Sequence, residues 1–264
     1  MIASRCNLTL GVHSTAIIDP NAKIGDDVTI GPFSVIEAGV SIGDRTTVGN
    51  NVTISTGTHI GKDCKIFHSA SIGAIPQDLK YNNEETFLYI GDRTVIREFV
   101  SINKGTSALG KTEIGSDCLL MASVHVAHDC VVGSNVIMSN LTTLGGHVNI
   151  DDWVILSGGV LVHQFCNISK HAFIGAGALV TQDVPPFILA AGSPVEYSGI
   201  NSVGLKRRGF SIDDRKELKN IYKMYFRSKN NRKENLSKIK KELASFKYTN
   251  LIVDFIENSE RGII

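Results

Sequence analysis

Between Val12 and Val180, 26 of the 29 residues spaced six apart are Ile, Val, Leu or Met, where a 42% apolar composition would supply about 12. A period of six fits neither an amphipathic helix nor a half-exposed strand. Short strands joined by tight corners do satisfy it. One large apolar residue per strand then fills an interior, and the residue four places on, small or β-branched as in Ala22, Val28, Ser34, Val40, Thr46 and Val52 through to Ala178, packs near the corner. Glycine often follows the apolar marker, as at Gly25, Gly31, Gly43, Gly115 and Gly145, and is read as supplying the backbone angles that a corner demands. Cys64, Cys118, Cys130 and Cys166 fall on the small interior position and are packing residues, while Cys6 stands outside the frame. The frame breaks at Asp78, Glu84 and Ala108, so the segments 74–88 and 104–112 are expected to leave the repeat as loops.

Charge divides the chain in two. Residues 1–189 hold 11 basic and 17 acidic side chains, and residues 190–264 hold 16 basic and 9 acidic, so a net −6 region precedes a net +7 region. The second region loses the six-residue frame after QDVPP at 182–186 and turns helical. Ser211 is placed as an N-cap before Asp213 and Asp214. Leu218, Ile221, Tyr222, Tyr225 and Phe226 form an apolar stripe, with further stripes at Leu236, Ile239, Leu243 and Phe246 and at Leu251, Ile252 and Phe255. What remains exposed is basic, notably Lys206, Arg207 and Arg208, and invites an anionic partner. No apolar run approaches the roughly 20 residues of a membrane helix, which excludes membrane insertion by that route. The start lacks a secretory pattern and the five cysteines lack paired spacing, pointing to a reduced, cytoplasmic protein. The basic charges interleave with acids and no base-stacking motif accompanies them, so nucleic acid is not an expected partner.

After Ile114 the frame is unbroken, so residues 18 apart stack on successive coils. His128, Gly146 and Gln164 then fall in line, with Asp129, His147 and His163 beside them and His125 three residues before His128. Such a patch suits either of two chemistries. Three imidazoles can ligate a metal, or one can act as a general base while its neighbours position substrate. The remaining histidines, His13, His59, His68 and His171, are read as polar surface side chains.

The repeat resembles that of the hexapeptide-repeat proteins, which implies a mainly β fold: a left-handed parallel β-helix over 1–189, with two loop insertions and a C-terminal α-helical domain over 190–264. QDLKY (77–81), IGDRTVIRE (90–98), HVAHDC (125–130), GGHV (145–148), VHQF (162–165), QDVPP (182–186) and GLKRRGF (204–210) are similar, in the same order, to stretches of the acyl-[acyl-carrier-protein]–UDP-N-acetylglucosamine O-acyltransferases of lipid A biosynthesis. That resemblance implies an acyltransferase moving a 3-hydroxyacyl chain from acyl carrier protein to the glucosamine 3-hydroxyl of UDP-N-acetylglucosamine. His128 would be the general base, Asp129 would orient it, and the Gly146 N–H would be the oxyanion donor. His125, His147, His163 and Gln164 would position substrate, Asp78, Lys80, Asn201, Arg207 and Arg208 would meet the sugar nucleotide, and Phe173 and Ala176 would limit acyl length. A homotrimer with no metal and no cofactor is implied. Asn103-Lys104, Val203 and Ser193-Pro194-Val195 depart from the pattern, which leaves a 3-amino acceptor open. The alternatives are the N-acyltransferase of the third lipid A step, a zinc-dependent hydratase on the same fold, and a non-catalytic scaffold.

Overall fold

The computed structural model describes residues 11–228 and 231–264; Cys6 lies outside them. The apolar markers end two-residue strands such as Thr29–Ile30, Val35–Ile36 and Ser41–Ile42, and successive strands turn onto three different faces. Face one stacks nine strands from Ile17–Ile18 to Leu179–Val180. Face two stacks eight, from Lys23–Ile24 to Asn167–Ile168. Face three stacks nine parallel strands, from Thr29–Ile30 through Phe173–Ile174 to Ile188–Ala191, and the antiparallel strand Glu196–Ile200 closes it as the tenth. The three parallel sheets enclose a left-handed β-helix. Each buried marker, such as Ile36, Ile54, Ile102 or Leu144, stabilises the tube by about 1.5–3 kcal/mol.

The small interior position is where corner carbonyls find donors. Ser34 Oγ donates to Gly49 O at 2.8 Å and Thr94 Oγ1 to Gly115 O at 2.8 Å. Cys118 and Cys130 point their thiols at Gly133 O and Gly145 O, at 3.2 and 3.1 Å. Burial pushes those thiols up to about 11 and about 12, so they pack and do not react.

The glycine expectation needs correcting. The corners are left-handed, but three residues after the marker and mostly without glycine: Asp27, Phe33, Arg45, Asp63, Asp129, His147 and Trp153 all have φ between 55° and 65°. Glycine directly after the marker has a different cause, namely the close approach of the next coil. A Cβ on Gly115 would sit 2.6 Å from the carbonyl carbon of Gly133.

Both insertions leave the edge between faces one and two. The first, residues 75–86, joins Ser71–Ala74 to Phe87–Ile90, and the second, residues 104–110, joins Ser101–Asn103 to Lys111–Ile114. The flanking strands reach further into both segments than the frame predicts, because Phe87–Ile90 and Lys111–Ile114 extend to four residues and pair along their full length. Beyond Ile114 the register returns to 18, as in Val126↔Leu144↔Val162.

Helices α1 (Ser202–Arg207), α2 (Ile212–Arg227), α3 (Arg232–Glu242) and α4 (Thr249–Glu257) follow. Ser211 caps α2 reciprocally with Asp214, and the α2 stripe buries Leu218, Ile221, Tyr222 and Tyr225. Neither α1 nor the closing antiparallel strand is foreshadowed by the sequence pattern. Among the described residues, no helix is long and apolar enough to cross a membrane.

Candidate active site

The edge between faces one and two carries the histidine patch. His128 follows the strand His125–Val126, and the 18-residue register sets Gly146 beside it. A Cβ on Gly146 would lie 2.7 Å from His128 Cε1 and 2.8 Å from Nε2, so the imidazole occupies the space that a side chain there would take. His128 Nδ1 lies 2.8 Å from Asp129 Oδ2. With Nδ1–H donated to that carboxylate, Nε2 is left as the basic nitrogen.

Asp129 is 2% exposed and sits at a left-handed corner with φ 58°. Its Oδ1 accepts the N–H groups of Thr106 at 2.9 Å and Leu109 at 3.3 Å, and its Oδ2 accepts the Thr106 hydroxyl at 2.6 Å. Burial acts against its charge, but the donors from Thr106 and His128 outweigh it and hold the carboxyl below its ordinary range. His147 stands at the same corner one coil on. Its ring lies edge-on to His128 at 5.2 Å and stacks on Phe165 at 4.6 Å, with Nε2 3.8 Å from Asp129 Oδ2.

The ligand-capable atoms of His128, Asp129 and His147 fall within 4.8 Å of one another, a spread that a metal ion could bridge. The donor set argues otherwise. A cation on Asp129 Oδ2 would displace both the Thr106 hydroxyl and the His128 Nδ1–H. The carboxylate is arranged to receive hydrogens, which favours the base reading over metal ligation.

Not every expected residue joins this cluster. His125 lies on the outer side of face one, its Nδ1 2.8 Å from Ser101 Oγ, and burial lowers its pKa. His163 Nδ1 is 3.1 Å from the carbonyl of Gln164. Asp78 and Lys80 are on the first loop, where Asp78 Oδ1 accepts the Lys80 N–H at 2.9 Å. A cleft of roughly 720 Å³ runs from Leu109, Asp129, His147 and Phe165 to Asn258 and Arg261 near the C-terminus.

Asn201, Arg207 and Arg208 belong to a different edge, between faces two and three. Asn201 is 6% exposed and turned inward, donating to His171 O at 2.9 Å and accepting from Gly204 N at 3.1 Å, so it caps α1. Arg207 is exposed at the end of α1. Arg208 is half-buried, contrary to its reading as a free surface cation: its guanidinium lies 5.0 Å over the Trp153 ring and 3.3 Å from His171 Nδ1. His171, read as a polar surface residue, stacks on Phe187 and is covered by Phe210. Burial, then the charges of Arg208 and Lys170, push its pKa down to about 4.

Face three bears the acyl-length positions. Phe173 continues an outward ladder of Val95, Leu119, Ile137 and Ile155, all apolar and half-buried. Ala176 follows at the edge between faces three and one, beside Gly177. Thr106, Leu109 and Phe165 are the site residues that sequence reasoning missed; the break of frame at Ala108, one coil before His128, was the available signal.

A three-sided solenoid with a histidine–carboxylate pair set against a glycine of the next coil defines a hexapeptide-repeat transferase. Residues 21–56 and 111–146 match the bacterial transferase hexapeptide repeat, and residues 183–264 match the second domain of UDP-N-acetylglucosamine O-acyltransferases. The chain is 53% identical to an acyl-[acyl-carrier-protein]–UDP-N-acetylglucosamine O-acyltransferase of Paracidovorax citrulli, across 96% of this chain and 98% of the relative. It is 46% identical to one of Thiobacillus denitrificans, over the same shares. The solved UDP-N-acetylglucosamine acyltransferase of Bacteroides fragilis superposes with a TM-score of 0.94 at 45% identity, covering 96% of this chain and 99% of that one. The chain belongs to the acyl-[acyl-carrier-protein]–UDP-N-acetylglucosamine O-acyltransferase family.

Proposed function

We propose that this protein transfers a 3-hydroxyacyl group from acyl carrier protein to the glucosamine 3-hydroxyl of UDP-N-acetylglucosamine, the first step of lipid A biosynthesis. The observation that carries the catalytic reading is the His128 ring, bonded through Nδ1 to buried Asp129 and set against Gly146. Nε2 takes the proton of the sugar hydroxyl as its oxygen attacks the thioester carbon. The carbon–sulfur bond then breaks, and the imidazolium returns the proton to the departing thiolate. Asp129 keeps the ring in the required tautomer and stabilises its charged form. The Gly146 N–H donates to no group among the described residues and is free to meet the developing oxyanion.

His125, His147, His163 and Gln164 position the substrates, with Asp78 and Lys80 on the first loop. Arg207 and Arg208 meet the anionic nucleotide or carrier, and Asn201 serves them by fixing α1. The apolar ladder ending at Phe173, with Ala176 at its edge, takes the acyl chain. His128 and Phe173 lie on different sides of one prism, so a complete site draws on two copies, in keeping with a homotrimer. No metal or cofactor enters these steps, and the carrier places the reaction in the cytoplasm.

The test is transfer from 3-hydroxyacyl carrier proteins of several chain lengths to UDP-N-acetylglucosamine, with wild type and His128→Ala in parallel. The variant is expected to keep its fold and lose roughly 100-fold or more in turnover. A folded variant that still turns over at the wild-type rate removes His128 from the mechanism. Transfer only to a 3-amino acceptor changes the substrate.

A further inference from the structure

Thr106 stands in the second loop, 7% exposed, and engages both oxygens of Asp129. Its N–H meets Oδ1 at 2.9 Å and its hydroxyl meets Oδ2 at 2.6 Å. The Ala108 N–H donates to that hydroxyl at 3.2 Å, which leaves the hydroxyl proton for the carboxylate. Oδ2 is the same atom that receives His128 Nδ1–H. Two donors therefore share one carboxylate oxygen, one from the catalytic ring and one from a loop outside the solenoid.

We infer that Thr106 is a positioning residue of this site, through which the 104–110 loop fixes Asp129 and tunes its hold on His128. The inference rests on the reading of His128 as the base. The hydroxyl locks the carboxylate in the orientation that keeps Nδ1 protonated. It also draws off part of the charge on Oδ2, so the pull on the imidazole is moderated. A base held too tightly to its proton would be blocked at neutral pH. The other charged or titratable groups around the carboxylate are the buried Cys130 thiol next to it in the chain, His147 at the next corner, Glu84 on the first loop, whose Oε1 accepts the Ser107 N–H at 3.1 Å, and Glu260 and Arg261 across the cleft.

Steady-state transfer by Thr106→Val and Thr106→Ser, measured across roughly pH 5.5–9, tests this. Thr106→Val is expected to lower kcat about tenfold with KM for UDP-N-acetylglucosamine within about twofold, and to move the acid limb of the kcat/KM profile to higher pH. Thr106→Ser is expected to restore both, since it keeps the hydroxyl. Unchanged kcat and limb in Thr106→Val overturn the proposal. So does an equal loss in Thr106→Ser, which would assign the effect to the methyl group, or a loss confined to KM. If Thr106→Val does not fold, Thr106→Ala takes its place under the same criteria. Wild-type activity in His128→Ala would instead sink the base reading, whatever Thr106 does.

Discussion

Single residues respond to what distant segments lay over them, and His171 is the clearest case. The repeat shows that it stands at a corner, but Arg208 and Phe210 come from beyond the repeat and bury it, which no periodicity reveals. Its pKa, about 4 in the folded chain, lies below the ordinary 6.5. The unfolded chain therefore takes up a proton that the folded one refuses. Stability is full above 6.5, is lost as pH falls toward about 4, and is flat below that for this group. His125 acts in the same direction. His171→Phe removes the titration, and Phe33, Phe99 and Phe165 already occupy the equivalent left-handed corner. Urea midpoints at about pH 7 and about pH 5 are expected to differ less in His171→Phe than in wild type. An equal difference would mean that the histidine charges freely in the fold. By contrast His128, Asp129, Gly146 and His147 were legible in advance, because stacking 18 residues apart is itself periodic. Thr106 was not, since its place on Asp129 depends on the path of a loop.

At the level of strands and corners, the sequence period located the glycines but assigned them the wrong cause. Gly115 is not at positive φ; it is required because a Cβ would meet Gly133 C and O at 2.6 Å and Ser134 N at 2.7 Å, all backbone atoms. Coil spacing is fixed by hydrogen bonds such as Gly115 N to Val132 O at 2.7 Å, so neither coil can retreat. Gly115→Ala is expected to cost about 1–3 kcal/mol, as overpacking does. Gly39 offers the comparison: it has φ 72° and nothing within 4 Å of an added Cβ. Gly39→Ala meets only the left-handed penalty of about 1 kcal/mol, which the non-glycine corners already carry. Thermal unfolding should rank Gly115→Ala below Gly39→Ala. The reverse order would mean that the coils yield to an added methyl group, and that close approach does not account for the glycine after the marker.

The whole prism presents the groups proposed to act in catalysis and in anion binding on separate edges, and that separation makes a testable demand on assembly. His128 lies between faces one and two, while Arg207, Arg208 and their support Asn201 lie between faces two and three. The sequence named these residues but not their separation, because the helical tail carries no frame that relates it to a face. If a neighbouring copy brings the second group to the first, two defective chains can complement each other. His128→Ala supplies an intact arginine edge, and Arg207→Glu, altered at an exposed side chain, supplies an intact base. Each alone is expected to be nearly inactive. Co-refolded in equal amounts, they place an intact base beside an intact neighbour at about a quarter of the contacts in a cyclic oligomer, so about a quarter of wild-type activity should return. Activity that stays at the level of the separate variants would mean that one chain supplies both groups, and that the anionic partner bridges two edges of a single prism.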